Sequence, residues 1–174
     1  MPTTFPQLML SHARKRPHDP ALREKEYGIW QTWSWQDVAR DVRHLACGLA
    51  SLGFRPGSNL AIIGDNRPNL YMSFIAAQSV GGVPVPLYQD AVATEMAFVL
   101  QDAEIEFAFA ENQEQVDKLL ELRESVPGLS HIIYDDPRGL RNYTQAGLIS
   151  VAQLLERGRA HDQAHPTFWD ERVA

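Results

Sequence analysis

Cysteine is nearly absent: Cys47 is the only one in 174 residues. A disulfide framework and a cysteine-rich zinc site are thereby excluded, and a reducing, cytoplasmic compartment is expected. Positive charge is also scarce, with 16 Lys and Arg against 22 Asp and Glu, a formal charge of −6. A general nucleic-acid binder needs a basic face to release counterions from phosphates, so no nucleic-acid partner is expected. No stretch approaches the ~20 apolar residues of a membrane-crossing helix, so no transmembrane segment is expected. Met1-Pro2-Thr3-Thr4-Phe5 has no basic region leading into an apolar run, and so shows no signal peptide. The phosphate-binding patterns GxxxxGK[ST] and GxGxxG are both missing, as are low-complexity tracts and solenoid-length repeats.

What is present is enough apolar material for a core. Hydrophobic residues make up 44% of the chain and charged ones only 22%, a balance that argues against disorder. At this length a chain removes roughly 70% of its unfolded surface from water. Charge is uneven: residues 1–60 hold eight basic and five acidic side chains, whereas residues 95–136 hold two and eleven. That bias reads as a solvated face.

Helical and extended patterns alternate. Thr4 caps a short helix ending in Arg14, Lys15 and Arg16, which Pro17 and Pro20 terminate. Ala21 to Lys25 and Ile29 to Trp33 read as a hairpin around Tyr27-Gly28. Ser34, with Asp37 three residues on, caps a helix whose apolar stripe is Val38, Val42, Leu45, Leu49 and Leu52, with Gly53 as its stop. Asn59 to Gly64 is a buried-type strand, and Asp65-Asn66-Arg67-Pro68 opens a helix that should be largely buried. Val83 to Leu87 carries two prolines and so reads as an edge or irregular strand. Thr94 to Ala103 and Asn112 to Ser125 are expected helices, and Ile105 to Ala110 and His131 to Tyr134 expected strands. A last helix, Ser150 to Arg157, is stopped by Gly158. Strand–helix alternation of this kind predicts an α/β fold, a mainly parallel sheet with helices on both faces. The expected division is an α/β unit over 1–158 and a polar tail over 159–174, in which Phe168 and Trp169 have nothing downstream to cover them.

Few residues suggest chemistry. Gly64-Asp65-Asn66-Arg67 could place an anion at a helix N-terminus, but an aspartate there repels phosphate, so Asp65 or Asn66 is read as a helix cap. Gly81-Gly82 could admit a ligand closely but reads as a helix end and turn. His161 and His165 have i, i+4 spacing suited to a shared metal, yet no third ligand is near, and they read as solvated loop residues. Cys47 lies in no nucleophile signature and is taken as a packing residue. Trp30, Trp33 and Trp35 could stack a ligand, and are read as covering the hairpin. No catalytic, cofactor-binding or metal-binding residue is therefore assigned.

A resemblance goes further. The runs Thr32-Trp33-Ser34-Trp35-Gln36-Asp37-Val38, Leu49-Ala50-Ser51-Leu52-Gly53-Phe54-Arg55-Pro56-Gly57, Leu60 to Pro68, and Ala77 to Tyr88 resemble the N-terminal part of the adenylate-forming, AMP-binding acyl-CoA synthetase superfamily. His131 to Leu140 is more similar to its long-chain fatty acid–CoA ligase branch than to short-chain relatives. Gln89-Asp90 departs from the family, which more often has proline and a small hydroxylated residue there.

The resemblance implies an incomplete N-terminal subdomain of that fold. The whole enzyme would join a fatty acid to coenzyme A using ATP and Mg2+, through an acyl-adenylate with release of pyrophosphate and AMP. It implies that Phe168 to Ala174 comes shortly before the phosphate loop, so this chain holds none of the reactive motifs and binds no cofactor itself. Its expected partner is the remainder of the ligase, namely the phosphate-loop region and C-terminal domain. The chain alone is expected to be an inactive scaffold, and the whole enzyme to touch membranes peripherally if at all. The alternative is a truncated, stand-alone, non-catalytic interaction protein of the same superfamily, making contact through Phe168 and Trp169 or an unpaired sheet edge.

Overall fold

A computed structural model describes residues 4–174; Met1 to Thr3, part of the segment read for a signal peptide, lie outside them. Helix α1 (Phe5–Lys15) begins where Thr4 Oγ1 accepts from the Gln7 amide at 3.3 Å. Strands β1 (Pro20–Glu26) and β2 (Ile29–Ser34) form the expected antiparallel hairpin. Its two-residue turn needs left-handed backbone twice, and Tyr27 (φ 46°) and Gly28 (φ 83°) supply it. Helix α2 (Trp35–Ser51) opens on a reciprocal cap, Asp37 N–H to Ser34 Oγ at 3.2 Å and Ser34 N–H to Asp37 Oδ2 at 3.0 Å. Its apolar stripe is buried as the spacing predicts, except that Leu52 is half-covered.

Then come β3 (Asn59–Ile63), α3 (Pro68–Ser79), β4 (Val83–Leu87), α4 (Ala93–Asp102), β5 (Phe107–Ala110), α5 (Gln113–Glu121), β6 (His131–Tyr134), β7 (Leu148–Ser150), α6 (Val151–Ala164) and α7 (Phe168–Val173). The five strands β3 to β7 form one sheet in the order β4-β3-β5-β6-β7, and every pairing is parallel. Alternation along the strands splits the core in two. Leu60, Ile62, Phe107, Phe109 and Ile133 face α1, α2, α3, α6 and α7. Ala61, Ile63, Ala108, Ala110 and Ile132 face α4 and α5.

Neither rim of the sheet offers a free N–H. Val83 N–H donates to Ser58 of the β3 side, so the alternate residues Pro84 and Pro86 turn outward, and proline has no N–H to give. At the other rim Leu148 N–H is taken by the Gln145 carbonyl (3.2 Å) and Ser150 N–H by Gln153 Oε1 (2.9 Å). The unpaired edge expected to recruit a partner is thus not a strand template.

Several local expectations are corrected. Residue 65 or 66 does not cap α3; the chain is still extended at Arg67, and Pro68 starts the helix without a side-chain cap. Val92, not Thr94, precedes α4, again with no side-chain cap. The strand over Ile105 to Ala110 begins only at Phe107, β7 was not anticipated, and α5 ends at Glu121 in a 3-10 turn (Leu122–Glu124).

The largest correction concerns Gly158. It does not stop a helix: α6 runs through it to Ala164. Glycine is required there because α6 crosses α2 so closely that a Cβ would lie 1.7 Å from the His44 carbonyl oxygen. Gly48 is the matching small residue on α2, where a Cβ would lie 2.5 Å from the Leu154 carbonyl oxygen. The aromatics of the expected bare tail are covered too. Trp169 on α7 is 2% exposed and belongs to the α2–α3 core, with Phe168 packed at its margin.

Candidate functional site

A sheet ordered β4-β3-β5 reverses direction of growth between β3 and β5. Ligands of open parallel sheets bind in the crevice beyond the strand C-termini at such a point. Here that crevice is a cleft of about 390 Å³, walled by Glu24, Glu26, Tyr27 and Trp33 of the hairpin region, Arg67 and Asn69 after β3, Glu111 after β5, and Asp135 to Arg138 after β6.

Glu111 organises it. The residue is 7% exposed, and its Oε2 accepts from the Asp65 amide while its Oε1 accepts from Arg67 Nε at 2.6 Å. Gly64 makes this possible, since a Cβ on it would stand 2.5 Å from the Glu111 Cβ. Arg67 also pairs with Glu24 on β1, so one guanidinium ties the hairpin to the sheet. The hydrogen bonds that Arg67 donates, to Glu24 first and then to Glu111, raise its pKa above the ordinary value.

Asn69 Nδ2 donates to Asp135 Oδ1 at 2.7 Å. Burial is the main influence raising the Asp135 pKa, opposed by that hydrogen bond and reinforced by Glu24 and Glu111. Asp136 moves the opposite way, lowered chiefly by the hydrogen bonds from Arg138. The guanidinium of Arg138 also reaches the Tyr27 hydroxyl at 3.5 Å.

The arrangement does not fit a nucleotide triphosphate. Five carboxyl groups outnumber two guanidinium groups on the walls, and both guanidiniums are already engaged by carboxylates. Among the described residues no three His, Cys, Asp or Glu are placed to hold a metal ion.

The residues weighed in the sequence fall elsewhere or serve packing. Arg67 reaches the cleft, and both it and the Asp65 backbone N–H serve as partners of Glu111 rather than as an anion receptor. Gly82 admits the Phe54 ring, which a Cβ would approach to 2.3 Å. His161 lies on α6, not in a loop, its ring tilted 47° against that of His165 with centroids 4.6 Å apart. Cys47 is fully buried, and burial pushes its thiol pKa up to about 12, which rules out a thiolate nucleophile. Trp33 lines the cleft, Trp30 is exposed, and Trp35 packs on the His12 ring at 4.5 Å. Glu24, Glu111 and Asp135 were not singled out by sequence; the only signal for the last two was their place just after buried apolar strands.

Comparison with known proteins assigns the family. The AMP-binding enzyme family model matches residues 10–167, and the chain belongs to that family. The long-chain-fatty-acid–CoA ligase FadD15 of Mycobacterium tuberculosis is 30% identical over 154 residues, covering 86% of this chain and 26% of that protein. The uncharacterised protein Rv1549 of the same organism is 33% identical over 135 residues, 78% of this chain and 74% of that protein. Among solved structures, the anthranilate CoA ligase AuaEII in complex with anthranoyl-AMP superposes with a TM-score of 0.76 at 17% identity, over 87% of this chain and 27% of that one. Acetoacetyl-CoA synthetase from Streptomyces lividans gives 0.70 at 25% identity, over 86% and 24%. The chain thus spans about a quarter of the length of the ligases it matches. Its α/β architecture corresponds to an N-terminal portion of the adenylate-forming fold.

Proposed function

We propose that this chain is the N-terminal scaffold of an ATP-dependent long-chain fatty acid–CoA ligase. Its α/β unit continues past residue 158 through the end of α6 and through α7, and residues 159–174 lead toward the phosphate-loop region. The whole enzyme would use ATP, Mg2+ and coenzyme A in the cytoplasm, and its remaining domains are this chain's partner. The observation that carries the reading is the family match over residues 10–167, joined to relatives named as long-chain ligases. The acidic cleft supports the scaffold role, since its guanidiniums brace the hairpin and are not free to take phosphates. Purified chain should therefore give no fatty-acid-dependent exchange of pyrophosphate into ATP. Exchange above the no-acid blank, abolished by heat denaturation, would overturn the scaffold reading.

A second reading is favoured by Rv1549, of which this chain covers 74%. It takes the protein as a non-catalytic interaction module of the same family. Its contact would be the exposed apolar residues Tyr88 and Val92, between β4 and α4, and Phe98 on α4, because Trp169 is buried. Sequencing the locus beyond the Ala174 codon separates the two. An open frame into a Ser/Thr/Gly-rich loop supports the ligase, and a stop codon supports the module.

A further inference from the structure

A second groove, of about 620 Å³, lies at the opposite end of the sheet, where β6 and β7 begin. Leu52 after α2, with Leu148 and Ile149 of β7, gives it an apolar wall, and α6 adds Glu156 and Arg157. His131, the first residue of β6, completes the lining used here. This volume is within the range of small-molecule sites.

The imidazole of His131 is held in one orientation and one tautomer. Its ring lies flat on Phe107, with centroids 4.9 Å apart and planes 7° from parallel. Its Nδ1 is 2.9 Å from Ser130 Oγ, which in turn donates to the Glu106 carbonyl oxygen at 3.0 Å. A serine hydroxyl has one proton, so both contacts are hydrogen bonds only if Nδ1 is the donor to Ser130. Nε2 is then the open nitrogen, a bare acceptor in neutral His131 and a cationic donor once protonated.

The charge around it favours an anion. Burial first, then the guanidiniums of Arg123 and Arg157, holds the His131 pKa below its ordinary value, with Glu106 acting the other way. Arg123 donates to the Ala146 carbonyl (2.8 Å), its buried Nε has no partner, and no carboxylate neutralises it among the described residues. Arg157 likewise has no acidic partner among the described residues. Glu106 is compensated by Arg55 at 3.8 Å, which leaves Glu156 as the one opposing charge on the rim. A polyanion would meet Glu156, whereas a single carboxylate can sit on Arg157 and away from it.

We propose that this groove binds a small amphipathic carboxylate, its head group on Arg157 and the Nε2 of protonated His131 and its short hydrocarbon tail along Leu52, Leu148 and Ile149. The inference stands apart from the ligase reading, because the groove is at the other end of the sheet from the cleft.

Titration of the purified chain with sodium octanoate below its micelle concentration, followed by NMR of the His131 ring, tests it. The ring signals should shift saturably, and the apparent pKa of His131 should rise when octanoate is bound. Binding should tighten as pH falls through the His131 pKa. Arg157→Gln, at an exposed position, should weaken binding about tenfold with an unchanged melting temperature, and Glu156→Gln should tighten it. Octan-1-ol and acetate, each carrying half of the chemistry, should both bind more weakly than octanoate. Equal binding by Arg157→Gln, equal binding of octan-1-ol, or an unmoved His131 signal would each overturn the proposal.

Discussion

Asp37 shows how one side chain can be read from sequence with its energetics attached. Serine followed three residues later by a carboxylate predicts a reciprocal helix cap, and both hydrogen bonds form. The hydrogen bonds that the Asp37 carboxylate accepts from Ser34 are the main reason that its pKa is lowered from 3.8. A depressed carboxylate pKa contributes stability that is present above the unfolded value and is lost as pH falls through the native one. Asp37→Ala should therefore cost about 1 kcal/mol in urea unfolding near neutral pH. The difference should fade once the pH drops below 3.8, the ordinary aspartate value. Glu111 is the contrary case. Nothing in its neighbourhood of sequence announces that it receives Arg67, 44 positions away, because the pairing exists only after β3 and β5 lie side by side.

At the scale of elements, hydrophobic period located most helices and strands, and it failed where glycine had two meanings. A glycine ending a polar stretch after Ser150 looks like a helix stop, since glycine costs about 1 kcal/mol inside a helix. What outweighs that cost is the crossing of α6 over α2, a tertiary contact with no local signature. Gly158→Ala should lower stability by roughly 3 kcal/mol, at the upper end for overpacking, because the obstruction is backbone rather than a movable side chain. Thermal unfolding would show it, with the far-UV spectrum of the folded state retained. The same crossing explains Cys47. It lies off the predicted stripe of α2, yet α6 covers that second face and buries it fully. The starts of α3 and α4 also differ from expectation: Pro68 opens α3, and neither helix has the side-chain cap that the polar residues suggested.

For the molecule as a whole, the parallel sheet with helices on both faces was legible, because strand–helix alternation leaves few other solutions. The cleft was not, because strand order decides which loops meet and sequence order does not reveal it. Chain closure was also misjudged. Residues near the C-terminus return to the first helices: Gln7 Nε2 donates to the Ala174 carbonyl at 2.8 Å, and Arg43 binds Asp162 at 2.8 Å. Trp169→Ala should accordingly cost roughly 3–5 kcal/mol in denaturant unfolding, as for a core aromatic. A loss below about 1 kcal/mol would mean that α7 does not belong to the cooperative unit. The donor-free rims of the sheet bear on a different hazard. Exposed strand edges seed aggregation by recruiting the backbone of neighbouring molecules. With Pro84 and Pro86 on one side and Leu148 and Ser150 already engaged on the other, two copies of this chain find no strand N–H to pair with along the rims of the five-stranded sheet.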